Sequence, residues 1–122
     1  MLSIIKSLKS FKYAFRGIWL FFKNENNARI HLLASVVVIA AGCYFRLKQN
    51  EWLWISLAIG LVWSSEAFNT AIEKLVDLVS PEYNSKAGEV KDLAAGAVVM
   101  AAGVALVIGI LIFKDYLIAL FV

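Results

Sequence analysis

Trp52-Leu-Trp-Ile-Ser-Leu-Ala-Ile-Gly-Leu-Val-Trp-Ser-Ser-Glu66-Ala-Phe-Asn69-Thr-Ala-Ile-Glu73 is an apolar run of membrane length with one acidic side chain, Glu66, set inside it. A carboxylate at the centre of a hydrocarbon layer costs about 2.5–3.5 kcal/mol even on insertion scales. Packing alone gives no reason to carry that cost. An ionisable group at such depth faces other protein or water, and it marks chemistry or transport.

The rest of the chain places this run in a membrane. Of 122 residues 61% are hydrophobic, against roughly 45–50% in soluble domains, and the mean hydropathy is +0.77. Three apolar segments reach the roughly 20 residues needed to span: His31 to Leu47, Trp52 to Ile72 and Leu93 to Phe113. The expected fold is an all-α integral membrane protein, with an N-terminal amphipathic surface helix and three transmembrane helices. The whole of 1–122 reads as one domain: a surface helix and linker over 1–25, and membrane helices over 30–47, 52–79 and 90–120. The first 25 residues carry Lys too evenly for the apolar core of a signal peptide. Cys43 is the only cysteine, so no intrachain disulfide can form, and inside the first span it is expected to pack as a small apolar residue. With the N-terminus in the cytoplasm, nine of the twelve basic residues fall inside and three (Arg46, Lys48, Lys114) outside. The positive-inside rule therefore predicts a multi-pass protein with its N-terminal arm and 74–92 loop cytoplasmic. No nucleic-acid partner is expected.

Within residues 3–23, Ile4, Leu8, Phe11, Phe15, Ile18, Trp19 and Phe22 recur at spacings of three and four, with Lys6, Lys9, Lys12 and Arg16 between them. Such a helix suits the membrane interface, its cations against anionic headgroups. Lys23-Asn-Glu25-Asn-Asn-Ala-Arg29 is a short polar connection, in which Glu25 taken alone is a solvated carboxylate. His31 is the only histidine. That excludes a His-rich metal site, and His31 reads as a helix-start residue at the interface. The second span should continue past Ile72 until Ser80-Pro81, where proline ends it. Gly88 suggests a flexible point, with the third span starting near Glu89. That last helix is rich in Ala and Gly, which lets helices approach closely in lipid and favours an oligomer.

At about 100° per residue, Asn69 lies about 60° from Glu66, and Glu73 and Asp77 about 20° to either side. One stripe thus holds Glu66, Asn69, Glu73 and Asp77, descending from the apolar layer to its edge. Lys91 and Asp92 return beside it at the start of the last helix. Carboxylates with a lysine at a membrane boundary suit Mg²⁺ and a polyphosphate, while a deeper carboxylate can take the proton of a hydroxyl presented by the lipid. There is no GxxxxGK[ST] and no GxGxxG, so a P-loop or protein-kinase nucleotide site is excluded. On spacing alone three readings stay open: phosphoryl transfer, a proton or cation relay through Glu66, and a non-enzymatic assembly subunit.

Glu66-Ala-Phe-Asn69-Thr-Ala-Ile-Glu73-Lys-Leu-Val-Asp77 resembles the E-x-x-N-[ST]-A-I-E-x-x-[VI]-D signature of the small prokaryotic membrane diacylglycerol kinases, which include undecaprenol kinases. Ser80-Pro-Glu82-Tyr83-Asn84 and Lys91-Asp92-Leu-Ala-Ala95-Gly-Ala-Val match the turn and last-helix start that follow in that family, and Tyr13 and Asn24-Glu25 fall at its spacings. The wording is nearer the undecaprenol-kinase branch. The resemblance implies a homotrimer with active sites shared between subunits, ATP as co-substrate, Mg²⁺ as cofactor and a membrane lipid alcohol, undecaprenol or diacylglycerol, as acceptor. It implies Glu66 as catalytic base with Asn69 steadying its carboxylate, and Glu25 and Glu73 as metal ligands. Lys6, Tyr13, Glu25, Glu73, Glu82, Tyr83, Asn84, Lys91 and Asp92 would contact the nucleotide. Arg29 and Ala95, with Glu66, would lie on the lipid's side.

Overall fold

The computed structural model describes residues 2–122, so Met1 of the expected 1–25 segment lies outside it. Four helices and, among the described residues, no strand make up the chain: α1 (Leu2–Asn24), α2 (Asn26–Phe45), α3 (Gln49–Val79) and α4 (Ser85–Phe121). The last three are each long and apolar enough to cross a membrane. At about 1.5 Å per residue, the 20 residues of α2 cover about 30 Å, the thickness of a hydrocarbon core. The 31 residues of α3 and 37 of α4 reach about 46 and 55 Å. Both therefore run past the apolar layer, and the polar end of α3 is the part that does.

Several helix bounds differ from those expected, each for a local reason. The second helix starts at Asn26, not 30. The polar connection shrinks to Glu25 alone, whose extended backbone (φ −107°, ψ 120°) makes the corner between α1 and α2. Arg29 Nη2 closes that corner by donating to the Lys23 carbonyl at 2.7 Å, which satisfies one of the orphan carbonyls at the end of α1. The same helix stops at Phe45 rather than 47, because Arg46 takes the left-handed conformation (φ 54°, ψ 59°). The Leu47 N–H then donates to the Gly42 carbonyl at 3.1 Å. The third helix begins at Gln49 instead of 52, as Glu51 Oε1 accepts from the Lys48 N–H at 2.9 Å. The fourth begins at Ser85, ahead of residue 90. Asn84 Oδ1 caps it by accepting from the N–H groups of Lys86 (2.8 Å) and Ala87 (3.4 Å), and Gly88 continues the helix with its N–H on the Asn84 carbonyl.

Contacts at both ends fix α3 and α4 as an antiparallel pair: Tyr116 donates to Glu51 at one end and Lys91 to Asp77 at the other. The α2 helix runs antiparallel to α3, with Asn27 meeting Glu66, Ser35 meeting Trp63 and Gly42 meeting Trp52. Phe45 stacks near Phe113 and Tyr116 of α4, and Phe22 of α1 packs edge-on against Trp63 with ring centroids 5.3 Å apart. The buried apolar residues are few and mostly small: Ala28, Leu47, Ile55, Ala58, Ala94 and Ala101. Large side chains such as Leu93, Met100, Leu106 and Leu111 stay uncovered, as lipid-facing or subunit-facing positions can. Cys43, expected to pack, is exposed on α2.

Gly42 permits the closest approach in the hairpin. A Cβ there would meet the Trp52 ring at 2.5 and 2.9 Å, and a rigid indole cannot yield by a side-chain rotation of its far end. Gly42→Ala should destabilise the protein by about 1–3 kcal/mol, read as a lowered thermal midpoint in detergent. A parent-like midpoint would show that α2 and α3 are not closely packed at this point.

Candidate active site

Glu66 is only 4% exposed and faces α2. Asn27 Nδ2 donates to Oε1 at 3.3 Å, and His31 Nε2 lies 3.5 Å from Oε2. Asn27 and His31 are four residues apart and so share one face of α2. A short polar chain fixes the same region: Trp63 Nε1 donates to Ser35 Oγ at 3.0 Å, and Ser35 Oγ donates to the His31 carbonyl at 2.7 Å.

Asn69, expected to steady Glu66, bonds elsewhere in this structure: its Nδ2 donates to Glu73 Oε1 at 3.3 Å, one turn further along α3, while the two oxygens of Glu66 face Asn27 and His31 of α2. Asn69 Oδ1 is buried with no hydrogen-bond partner. Burial falls along the stripe: Glu66 and Asn69 are buried, Glu73 half-buried, and Asp77 exposed. There Lys91 Nζ meets Asp77 Oδ1 at 2.6 Å. Beside this pair opens a cleft of about 260 Å³ between the end of α3 and the start of α4, lined among others by Asp77, Glu82, Tyr83, Asn84 and Lys91.

The structure thus gathers Glu66, Asn69, Glu73 and Asp77 on one face, and Glu82, Tyr83, Asn84 and Lys91 around one cleft. Other expected residues are not brought to either group. Lys6 and Tyr13 are exposed on α1, Asp92 and Ala95 are exposed on α4, and none forms a side-chain bond to the stripe. Arg29 is occupied at the α1–α2 corner, and Asn84 Oδ1 by the α4 cap. Glu25, half-buried at the corner, shares no hydrogen bond with Glu73. Among the described residues no three Asp, Glu, His or Cys side chains gather as a metal site. Asn27 and His31 are the residues that sequence reasoning passes over. A register count outward from the Arg46–Lys48 turn could have found them, since position 27 lies 19 residues before it and position 66 lies 18 after it.

The model of the family described as prokaryotic diacylglycerol kinase matches residues 12–113. The chain belongs to the prokaryotic diacylglycerol kinase family. Its relatives include an undecaprenol kinase of Bacillus subtilis, 43% identical over 86% of this chain and 85% of the relative. A diacylglycerol kinase of Synechocystis is 40% identical over 84% of this chain and 59% of the relative. The diacylglycerol kinase of Escherichia coli K12 is 27% identical over 82% of each chain. This diacylglycerol kinase family member is therefore a lipid kinase built as a multi-pass membrane protein. Glu66, Asn69 and Glu73, the centre of the polar stripe, all lie within the matched segment.

Proposed function

We propose that this kinase transfers the γ-phosphoryl group of ATP to the hydroxyl of a membrane lipid alcohol at the cytoplasmic face, with undecaprenol preferred to diacylglycerol. The observation that carries the reading is the buried Glu66 carboxylate at the head of a polar stripe that leads out to an open cleft bearing Lys91. An oily alcohol and a water-borne nucleotide need such a path, because neither enters the other's solvent. The likeness to the Bacillus subtilis undecaprenol kinase supports the lipid preference, and the Synechocystis relative makes diacylglycerol the other arm of the assay.

In this reaction Glu66 accepts the hydroxyl proton as the lipid oxygen attacks the γ-phosphorus. The new O–P bond forms while the bond to the bridging oxygen of ADP breaks, and ADP leaves with that oxygen. Asn69 turns its free Oδ1 toward the incoming hydroxyl or an ordered water, while its amide holds Glu73. Lys91 leaves Asp77 to offset the charge of the phosphates. Glu25 and Glu73 are the residues that would hold Mg²⁺. Among the described residues Glu25 has no side-chain hydrogen bond and Glu73 bonds through one oxygen only, and two hard oxygen donors fit an ion that shares its shell with phosphates and water. When bound there, Mg²⁺ supplies neutralisation of the phosphate charge.

Glu82, Tyr83 and Asn84 frame the nucleotide in the cleft, Asn84 through its amide, with its carbonyl kept for the cap. Exposed Lys6, Tyr13 and Asp92 are free to close on it, from this chain or a neighbour in a homotrimer. Arg29 serves the lipid side by fixing the α1–α2 corner, and Ala95 leaves space at the head of α4. The amphipathic α1 lies on the cytoplasmic surface, where the positive-inside rule puts the N-terminus.

The tail of the lipid has a place to lie. An apolar groove of about 520 Å³ between α2, α3 and α4 starts at His31 and is lined by residues that include Ser35, Trp63, Ala105, Gly109 and Phe113.

Purified protein in lipid, given labelled ATP with undecaprenol or diacylglycerol, should phosphorylate undecaprenol faster; phosphorylation of neither lipid would remove the reading. Glu66→Gln should lower kcat by about 10²–10⁴-fold with assembly intact, and unchanged turnover would take Glu66 out of the mechanism. Glu73→Gln should raise the Mg²⁺ concentration needed for half-maximal rate. The doubly filled groove, Ala105→Phe with Gly109→Phe, should raise KM for the lipid and leave KM for ATP alone. An unaltered lipid KM would place the tail elsewhere.

A further inference from the structure

We propose that Asn27 and His31 are positioning residues for Glu66, one on each carboxylate oxygen, and that together they aim its lone pairs at the hydroxyl proton. The inference rests on the reading of Glu66 as the base.

A carboxylate is a useful base only when a lone pair is aimed at the proton it will receive. Glu66 sits on α3, but its aim is set by α2: Asn27 reaches Oε1 and His31 faces Oε2. Two contacts fix the rotation of the carboxylate, where one would leave it free to swing. At 3.3 and 3.5 Å both are long, beyond the roughly 2.9–3.0 Å of a strong N–H···O bond. They orient the group without using up its lone pairs. The clamp itself stands on fixed backbone. The Trp63–Ser35–His31 carbonyl chain ties α2 to α3 one turn beyond His31, and Arg29 ties the corner just before it.

His31 also links the clamp to the apolar groove, since its side chain is 24% exposed and is among the residues that line it. Few other charges compete for Glu66. On α3 itself Glu73 is held by Asn69, on α4 Lys91 is held by Asp77, and α1 presents Phe22 to Trp63 and its Lys23 carbonyl to Arg29.

The test is the split of kcat and KM for lipid phosphorylation. His31→Ala and Asn27→Ala should each lower kcat by about tenfold with both KM values within about twofold of the parent, and His31→Gln and Asn27→Ser, which keep a donor, should recover part of the loss. If Glu66→Gln is inactive while His31→Ala and Asn27→Ala keep the parent kcat, the clamp alone is overturned. If Glu66→Gln remains active, it is the assignment of the base that falls.

Discussion

A carboxylate buried among apolar helices has to be held by something, and here α2 holds it. Glu66 could not sit at 4% exposure against bare hydrocarbon without the desolvation cost that charged groups meet there. The register of the α2–α3 hairpin removes that problem by laying Asn27 and His31 across both oxygens. The turn at Arg46–Lys48 sets this register, and the left-handed Arg46 makes the turn tight enough. Had the hairpin slipped by one residue, the polar pair on α2 would rotate away by about 100° and Glu66 would lose both partners together. The Ser35–Trp63 bond and the Gly42–Trp52 contact hold the same register further along, which is why packing remote from the polar stripe bears on its chemistry.

The thin core is consistent with this division of labour. Among the described residues six mostly small apolar side chains are buried, far fewer than a soluble chain of this length would need. In lipid there is no hydrophobic gain from covering a leucine, so helix association depends on close packing and on bonds between polar side chains. The interhelical bonds of this chain are those bonds: Asn27–Glu66, Ser35–Trp63, Glu51–Tyr116 and Asp77–Lys91. Their distribution from one end of the bundle to the other fixes the helices against sliding.

Much of this was legible in the sequence, and the residues that were not share one physical cause. The three spans follow from apolar length, and the acidic stripe from the helical period, since both depend on residues of a single segment. Lys91 beside Asp77 was legible too, because the connection between α3 and α4 is short and leaves the chain little choice. Asn27 and His31 were missed because their meaning depends on pairing between helices. The resemblance gave Asn69 to Glu66, yet the i, i+4 partner Glu73 takes its amide. Glu25, Lys6 and Tyr13 carry family spacing but no side-chain hydrogen bond to the stripe among the described residues. The helix ends were moved by caps: Asn84 starts α4 five residues early because its side chain satisfies two amides that the apolar pattern does not count.

The polar groups also differ in how firmly they are committed, and the order matches what two dissimilar substrates require. At depth, where no water can compensate for a lost partner, Glu66 is engaged on both oxygens. Midway, Asn69 spends its amide on Glu73 while its buried carbonyl has no protein donor among the described residues, and a buried acceptor left unsatisfied costs about 1–3 kcal/mol. At the surface, Lys91 and Asp77 form a pair with side chains 39% and 64% exposed, where water screens their attraction. Firm holding at depth, an open acceptor midway and a loosely held pair at the rim thus follow the fall in burial along one helix face: where no water can stand in for a partner the fold supplies one, and where water can, the bond is free to exchange.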